Sequence, residues 1–273
     1  MFGFIGNRAD LGAQVLQLNA SILRVERVGS EQLGWGVGFY QAGEPLLRRR
    51  PFDDRRVLDL AEAAEDIRTD VLIGHVRHAT VGTLRTENTH PFRYRMWLFA
   101  HTGTIGGYER LRERLLEAQP EFLRRNVLGE TDSELLFYLF LSFLHDAGHL
   151  VDGATPPARI AEALRASVAL VDRLSAEEGC QQNKGDILVT NGESMLAVHR
   201  NGGMAFRVLK GRQDVEELLG EEGVRKSRIP SIDSTRFSFV ASELPSLPVG
   251  WTPVAERSIV TLTRSDEPVC EPL

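Results

Sequence analysis

The segment GETDSELLFYLFLSFLHDAG, residues 129 to 148, constrains the fold more than any other part of the chain. Its apolar residues cover every face of a helix, and Thr131 and Glu134 have the spacing of a capping box, so the helix should begin near Thr131. The apolar run from Leu135 to Leu144, which contains only Ser142 as a polar residue, is too short to cross a bilayer. The sequence therefore predicts a helix that is buried between layers of secondary structure.

Strand-like and helix-like segments lie on both sides of this helix. After residue 185, the pairs Asn191-Gly192 and Asn201-Gly202 separate β-rich runs, which predicts two hairpins. Strands, two central helices and further strands, in that order, indicate two sheets that share one core in a single domain, residues 1–273. The predicted strands are Phe2–Ile5, Gly36–Tyr40, Val71–His75, Trp97–Ala100, Phe237–Ala241 and Ile259–Thr263, and the other predicted helices are Arg56–Asp66, Gly107–Arg125 and Pro157–Glu177.

Composition and charge exclude several classes of function. A formal net charge of −6 over 273 residues argues against general binding to nucleic acid or to anionic membranes. The run Arg48-Arg49-Arg50 is interpreted as a solvated loop rather than a phosphate site. The two cysteines, Cys180 and Cys270, form no disulfide framework, so a cytoplasmic location is expected, and Cys270 is expected in a frayed end.

The segment IGHVRHATVG, residues 73 to 82, is the first of three that could carry chemistry. Side chains alternate along a strand, so His75 and Arg77 should share one face while His78 lies on the other. Arg77 stands where the strand gives way to small residues, a position from which its guanidinium could bind a carboxylate with two hydrogen bonds. A surface ion pair is the alternative interpretation of Arg77.

The other two segments are WLFAHTGTIGGY and the start of the buried helix. Backbone N–H groups around Gly103, in a predicted turn at the end of a strand, could stabilise an oxyanion, although a plain glycine turn explains the pattern as well. Asp132 is favoured at a helix N-terminus whatever else it does. Four histidines fall between His75 and His101, but strand alternation separates two of them, and no Cys or Glu at ligand spacing joins them, so neither a metal nor another cofactor is expected.

Taken together and in order, these segments resemble the class II glutamine amidotransferases, and most nearly their stand-alone subgroup, which includes the γ-glutamyl amidohydrolase of ergothioneine biosynthesis. The resemblance implies an α+β fold, the four-layer αββα sandwich of the N-terminal-nucleophile hydrolases. It extends over nearly the whole chain. The segments that carry it are the short N-terminal strand, GWGVGFY (Gly34–Tyr40), RHATVG (Arg77–Gly82), ENTHPF (Glu87–Phe92), HTGTI (His101–Ile105), GETDSE (Gly129–Glu134) and VASELP (Val240–Pro245).

The resemblance also implies roles for individual residues. Arg77 would bind the α-carboxylate of glutamine or of a γ-glutamyl ligand, and Asp132 would pair with its α-ammonium. Thr80 would line the pocket near Arg77, and the backbone N–H of Gly103 would face the amide oxygen. A zwitterionic head group needs one fixed cation and one fixed anion, which this pair of residues supplies.

Two departures from the family pattern affect the catalytic machinery. The family uses a cysteine directly after the initiator methionine as its nucleophile, whereas this chain has Phe2, which has no nucleophilic atom, and the resemblance then implies that Met1 is retained. The family's oxyanion sequence His-Asn-Gly is here His101-Thr102-Gly103, which replaces one amide donor. The sequence therefore predicts a degenerate amidotransferase-like protein, with Phe2 as an apolar plug at the amide end of the pocket. If the ring fills that pocket, the cavity around Gly103 should be closed.

Two alternatives stay open at this point. The chain could be an active hydrolase that uses an unconventional nucleophile, such as a water molecule activated by His101 or His75. Because the 273 residues carry no synthase domain, any ammonia would then be used by a partner protein. Alternatively, the chain could be a structural or assembly module in which Arg77 and Asp132 survive only as packing and capping groups.

Overall fold

The computed structural model describes residues 1–29, 31–78, 82–151, 154–180, 183–227 and 232–273. Within these residues, two antiparallel sheets and a two-stranded ribbon hold all the strands. In spatial order, the seven-stranded sheet contains β13 (Thr252–Pro253), β11 (Ala205–Lys210), β12 (Arg236–Ala241), β1 (Phe2–Gly6), β6 (Val71–His78), β3 (Leu33–Gln41) and β4 (Glu44–Asp53). The six-stranded sheet contains β15 (Val269–Pro272), β14 (Ser258–Thr263), β10 (Ser194–His199), β9 (Lys184–Thr190), β8 (Trp97–Thr104) and β7 (Phe92–Tyr94), and the ribbon contains β2 (Arg24–Glu26) and β5 (Val57–Asp59).

The α-helices cover the outer faces of the two sheets. The described helices are α1 (Gly12–Leu18), α2 (Ala20–Leu23), α3 (Leu60–Ala63), α4 (Tyr108–Glu117), α5 (Glu121–Arg124), α6 (Asp132–Asp146), α7 (Pro157–Glu177) and α8 (Gly211–Ser227), the last interrupted at Gly220. Side chains of α4 to α7 form one apolar core with the six-stranded sheet, and those of α1 to α3 form a second core with the seven-stranded sheet. A third core lies between the sheets, so the layers follow the order αββα, and the fold class is confirmed.

Helix α6 is buried on all sides, as its sequence predicts. The ring of Phe137 stacks on Phe99 of β8 at 5.1 Å between centroids, and Phe140 meets Trp97 edge to face at 5.5 Å. The other side of α6 packs on α7 within the same core. Thr131 is the N-cap, and its hydroxyl accepts a hydrogen bond from the Glu134 N–H at 3.3 Å.

The second half of the chain confirms one predicted hairpin and corrects the other. Asn191-Gly192 joins β9 to β10 as an antiparallel pair. Asn201-Gly202 forms no hairpin, because β10 belongs to the six-stranded sheet and β11 to the seven-stranded one. The carboxylate of Asp186 accepts hydrogen bonds from the N–H groups of Arg200 at 2.7 Å and Asn201 at 3.1 Å. These two donors are satisfied outside any β-ladder, so the chain can pass to the other sheet.

Several local predictions are also wrong, for identifiable reasons. The run of three arginines is not a loop but part of β4, where Arg48 pairs with Asp66 at 2.7 Å. Cys270 lies in β15 rather than in a frayed end. The predicted helix at residues 56–66 is the strand β5 followed by the four-residue α3, and the one at residues 107–125 divides at Pro120 into α4 and α5.

The longest described helix, α7, is amphipathic rather than apolar throughout. Among the described residues, no helix combines the length and the apolar content that crossing a membrane requires.

Candidate functional site

A cavity of about 250 Å³ opens where the ends of β6 and β8 meet the start of α6. These three elements come from three different layers. Strand β6 belongs to the seven-stranded sheet, β8 to the six-stranded sheet, and α6 to the helical layer that covers the six-stranded sheet. The lining residues are His75, Val76, Arg77, His78, His90, His101, Thr102, Gly103, Thr104, Thr131, Asp132, Ser133 and Glu243. The structure thus brings together three residues that the sequence had placed far apart, Arg77, Gly103 and Asp132.

Arg77 lines the cavity from β6. As strand alternation predicts, His75 and Arg77 are both buried, whereas His78 is exposed. The Arg77 guanidinium donates hydrogen bonds to the carbonyl oxygens of Gly82 and Thr83, both at 3.2 Å. Burial lowers the pKa of Arg77 below its ordinary value. Arg77 is only 4% exposed and its guanidinium is held in place, so it could serve as a preorganised cation for a carboxylate.

Asp132 lines the cavity from the first turn of α6. One carboxylate oxygen accepts the Ile105 N–H at 2.7 Å, just beyond β8, and the other accepts the Ser133 N–H at 2.8 Å. These backbone donors and the positive end of the helix dipole stabilise the ionised carboxylate although it is only 3% exposed. The cavity therefore has a fixed negative group on one wall and the Arg77 cation on another.

Gly103 and Thr102 lie within β8, not in a turn, because the strand continues to Thr104. Gly103 pairs with Gly185 of β9, and a Cβ added at Gly103 would lie 2.3 Å from the Lys184 carbonyl oxygen. Its φ of 137° also disfavours any residue with a side chain. On the other edge of β8, β7 pairs only with Trp97, Leu98 and Phe99, so β7 does not cover the edge beside the cavity.

Three buried histidines lie beside these residues. The rings of His75 and His90 are 4.3 Å apart between centroids, and burial lowers both pKa values well below the ordinary range. Burial also lowers the pKa of His101, whose Nδ1 lies 2.8 Å from the Ser133 hydroxyl. All three imidazoles are therefore neutral at pH 7. Among the described residues, no group of three or more His, Cys, Asp or Glu is arranged to hold a metal ion.

Phe2 does not line this cavity. Its ring packs on the opposite face of the seven-stranded sheet, where it is 3% exposed and stacks on Phe239 with 6.0 Å between centroids. The cavity around Gly103 is open, so the ring does not act as the plug that the sequence suggested. Thr80, the remaining residue expected in the pocket, lies outside the described residues.

Ser133 and Glu243 also line the cavity, although neither is predicted as a site residue from the sequence. Glu243 belongs to the segment VASELP, but its backbone φ of +59° could not be read from that segment. A non-glycine residue in the left-handed region is uncommon, and such residues cluster at functional sites. For Ser133, the only signal in the sequence is its place in the segment GETDSE, next to Asp132.

The fold defines a class of protein, the N-terminal-nucleophile hydrolase sandwich, here with a cavity of about 250 Å³ where the ends of the two sheets meet. The family model of the class II glutamine amidotransferases matches residues 8–213. The chain therefore belongs to the class II glutamine amidotransferase family. The match contains Arg77, Gly103 and Asp132, while Phe2 and Glu243 lie outside it.

Individual proteins show the same relationship. The probable glutamine amidotransferase DUG3 of Saccharomyces cerevisiae is 31% identical over 122 residues, which are 42% of this chain and 34% of the yeast protein. The putative glutamine amidotransferase YafJ of Escherichia coli is 28% identical over 180 residues, 62% of this chain and 61% of that protein. The chain thus matches about a third of the length of the first relative and under two thirds of the second.

A solved structure agrees with the fold. The glutamine aminotransferase class-II domain protein from Silicibacter pomeroyi aligns over 88% of this chain and 90% of its own, with a TM-score of 0.56 and 20% identity.

Proposed function

We propose that this protein is a degenerate class II amidotransferase-like protein, which binds an amino-acid head group but does not hydrolyse glutamine by the family mechanism. The observation that carries the proposal is the position of Phe2. Phe2, which stands where the resemblance places the nucleophile, has a phenyl ring in place of a thiol, and that ring is buried in the core on the far face of its sheet. The cavity beside it is open and retains the charged residues.

The binding role is supported by two opposite charges on different walls of one cavity. Arg77 comes from the seven-stranded sheet and Asp132 from the helix that covers the six-stranded sheet. Both residues are almost fully buried, so water and salt screen their charges less than they screen charges at the surface. A volume of about 250 Å³ falls just below the range of about 300 to 1,000 Å³ typical of sites for drug-sized ligands, and suits an amino acid or a short derivative of one.

The loss of catalysis is supported by a second position. Thr102 stands where the family sequence has the asparagine of the oxyanion site, and its hydroxyl has a shorter reach than a side-chain amide. Loss of one oxyanion donor typically lowers kcat by about a hundred- to a thousand-fold. A missing nucleophile and a missing donor affect the same step, so a binding role that operates through a protein partner is the function we favour. Both cysteines are free, which supports a reducing, cytoplasmic setting.

Calorimetric titration with L-glutamine tests the binding role. We expect Arg77→Ala and Asp132→Asn each to weaken binding at least tenfold, because each leaves one charge of the zwitterion unpaired. Arg85→Ala, at an arginine that is 60% exposed, is the matched control and should leave the dissociation constant unchanged. If all three variants bind glutamine like the unmodified protein, or if none of the four proteins binds, the proposed pocket is vestigial and the structural-module alternative gains.

An assay of glutamate release from glutamine and from γ-glutamyl compounds tests the catalytic claim. We expect no release above a control without protein. Release that disappears in a His101→Asn variant would refute the proposal and favour hydrolysis by a water molecule activated at His101.

A further inference from the structure

A second cavity, of about 220 Å³, adjoins the first. The two share Val76, His78 and Glu243, so they lie side by side at the end of β6. Besides these three, the lining residues of the second cavity are Met1, Phe2, Ile22, Leu23, Val25, Leu60, Ala241 and Ser242.

Eight of the eleven residues that line the second cavity have apolar side chains, and several of these are fixed in place by the core. Phe2, Leu23 and Leu60 are each 2% or 3% exposed and belong to the core under α1 to α3. A Cβ on Gly74 would lie 2.3 Å from the Phe2 ring, so the ring occupies the space directly over that glycine. Phe2, which stands in place of the family's nucleophile, thus forms a rigid part of the wall of the second cavity.

The charged groups at the junction, where the two cavities share Val76, His78 and Glu243, select against an anionic ligand. The carboxylate of Glu243, which lines both cavities, lies 3.6 Å from the Met1 ammonium. The described lining of the second cavity contains neither lysine nor arginine. Because the ammonium is already paired with Glu243 and burial lowers its pKa, there is no surplus positive charge for a ligand carboxylate.

We infer that the second cavity is a subsite for an uncharged alkyl group on the amide nitrogen of a γ-glutamyl amide. The ligand class is therefore the γ-glutamyl derivatives of apolar primary amines, in contrast to γ-glutamyl peptides, which carry a second carboxylate. This inference rests on the proposed binding of the head group by Arg77 and Asp132. The amide N–H of such a ligand would lie at the junction, where the Glu243 carboxylate can accept it.

The subsite makes a quantitative prediction for a homologous series. Each methylene that becomes buried should tighten binding about fourfold, which corresponds to about 0.8 kcal/mol. Calorimetric dissociation constants for L-glutamine and its N-methyl, N-ethyl and N-butyl derivatives should therefore fall steadily along the series. γ-Glutamylglycine, with its added carboxylate, should bind more weakly than the N-ethyl derivative.

A variant that fills the second cavity separates this subsite from the head-group site. Val25→Phe adds bulk to the half-buried β2 wall, which does not line the first cavity. We expect it to abolish the dependence on chain length while glutamine binding stays within twofold. Val28→Phe, the same substitution at a residue that is 70% exposed, should leave the series unchanged. If Val25→Phe does not fold, the slope of the series on the unmodified protein and the γ-glutamylglycine comparison decide the question.

The possible outcomes distinguish this inference from the function on which it rests. A flat series with measurable glutamine binding overturns the subsite and leaves the head-group proposal intact. A steep series that persists in Arg77→Ala overturns both, because the alkyl group then binds without the head group. Absence of binding by every compound also overturns both.

Discussion

The Phe2 ring fills the space in which a Cβ on Gly74 would lie. This contact predicts that the effects of substitutions at the two positions on the free energy of unfolding are coupled. Phe2→Ala removes a ring that is 3% exposed, and truncations of this kind cost about 3 to 5 kcal/mol in the free energy of unfolding. The stacking on Phe239 contributes about 0.5 to 1.5 kcal/mol of the interaction beyond area burial. Gly74→Ala places a methyl group 2.3 Å from the ring and should cost about 1 to 3 kcal/mol through overpacking.

The double variant should be more stable than the sum of the two costs implies. Once the ring is absent, the new methyl group of Gly74→Ala enters vacated space, and alanine is favoured over glycine in a strand by about 0.5 to 1 kcal/mol. The second substitution should therefore cost little in the Phe2→Ala background. We expect a coupling free energy of about 1 to 3 kcal/mol, in the range found for residues in direct contact.

Urea denaturation of the unmodified protein, the two single variants and the double variant measures this coupling. The slope of the unfolding free energy against urea concentration should be the same for all four proteins. Phe52→Ala, at a phenylalanine that is 45% exposed, is the control and should cost less than about 1 kcal/mol. Strictly additive costs would show that the ring does not lie over Gly74. Tighter glutamine binding by Phe2→Ala would show that the ring reaches the first cavity, which would refute the reasoning on Phe2.

Three further predictions concern buried polar groups, each followed by urea denaturation. Burial raises the pKa of Asp186 to about 6. Its contribution to the free energy of unfolding is therefore complete below about pH 4 and is lost as the pH rises to about 6. Asp186→Asn, which keeps the acceptor oxygen, should gain stability relative to the unmodified protein across that pH window. A relative stability of Asp186→Asn that does not change between pH 4 and pH 7 would contradict this assignment. The hydrogen bond from Arg55 holds the pKa of Asp53 well below its ordinary value. Asp53→Asn should therefore destabilise the protein at pH 7, and less so as the pH falls below about 4. A stability difference between the variant and the unmodified protein that does not change with pH would show that no charge is involved. Thr131→Ala removes the cap that accepts the Glu134 N–H and should cost about 1 kcal/mol, whereas Thr131→Ser should cost much less.

Local sequence patterns predicted the elements whose stability is mainly local or whose burial is unambiguous. The bounds of α7 (Pro157–Glu177), the cap of α6 and the hairpin at Asn191-Gly192 are confirmed. The helix propensity, the capping hydroxyl and the turn geometry that specify them are properties of a few neighbouring residues.

The wrong predictions share a different cause. Asn201-Gly202 has the same dipeptide as the confirmed hairpin, but Asp186, from another strand, binds the adjacent N–H groups and the chain crosses between sheets. His101-Thr102-Gly103 resembles a turn, yet the pairing of Gly103 with Gly185 extends the strand through it. In both cases the partner is remote in the sequence, so no local pattern contains the information.

For the site, the sequence by itself determined which chemical groups are present. It shows that position 2 has no thiol and that an arginine and an aspartate stand at positions 77 and 132, to which the resemblance assigns substrate binding. Only the tertiary structure decided where the Phe2 ring lies. All five residues of β1 are buried, so both of its faces are apolar, and the alternation that would reveal the inner face is missing from FGFIG. The packing of the second sheet against Ile5 and of the helices against Phe2 and Phe4 settles the choice, because it requires both sheets and the helical layer to be assembled.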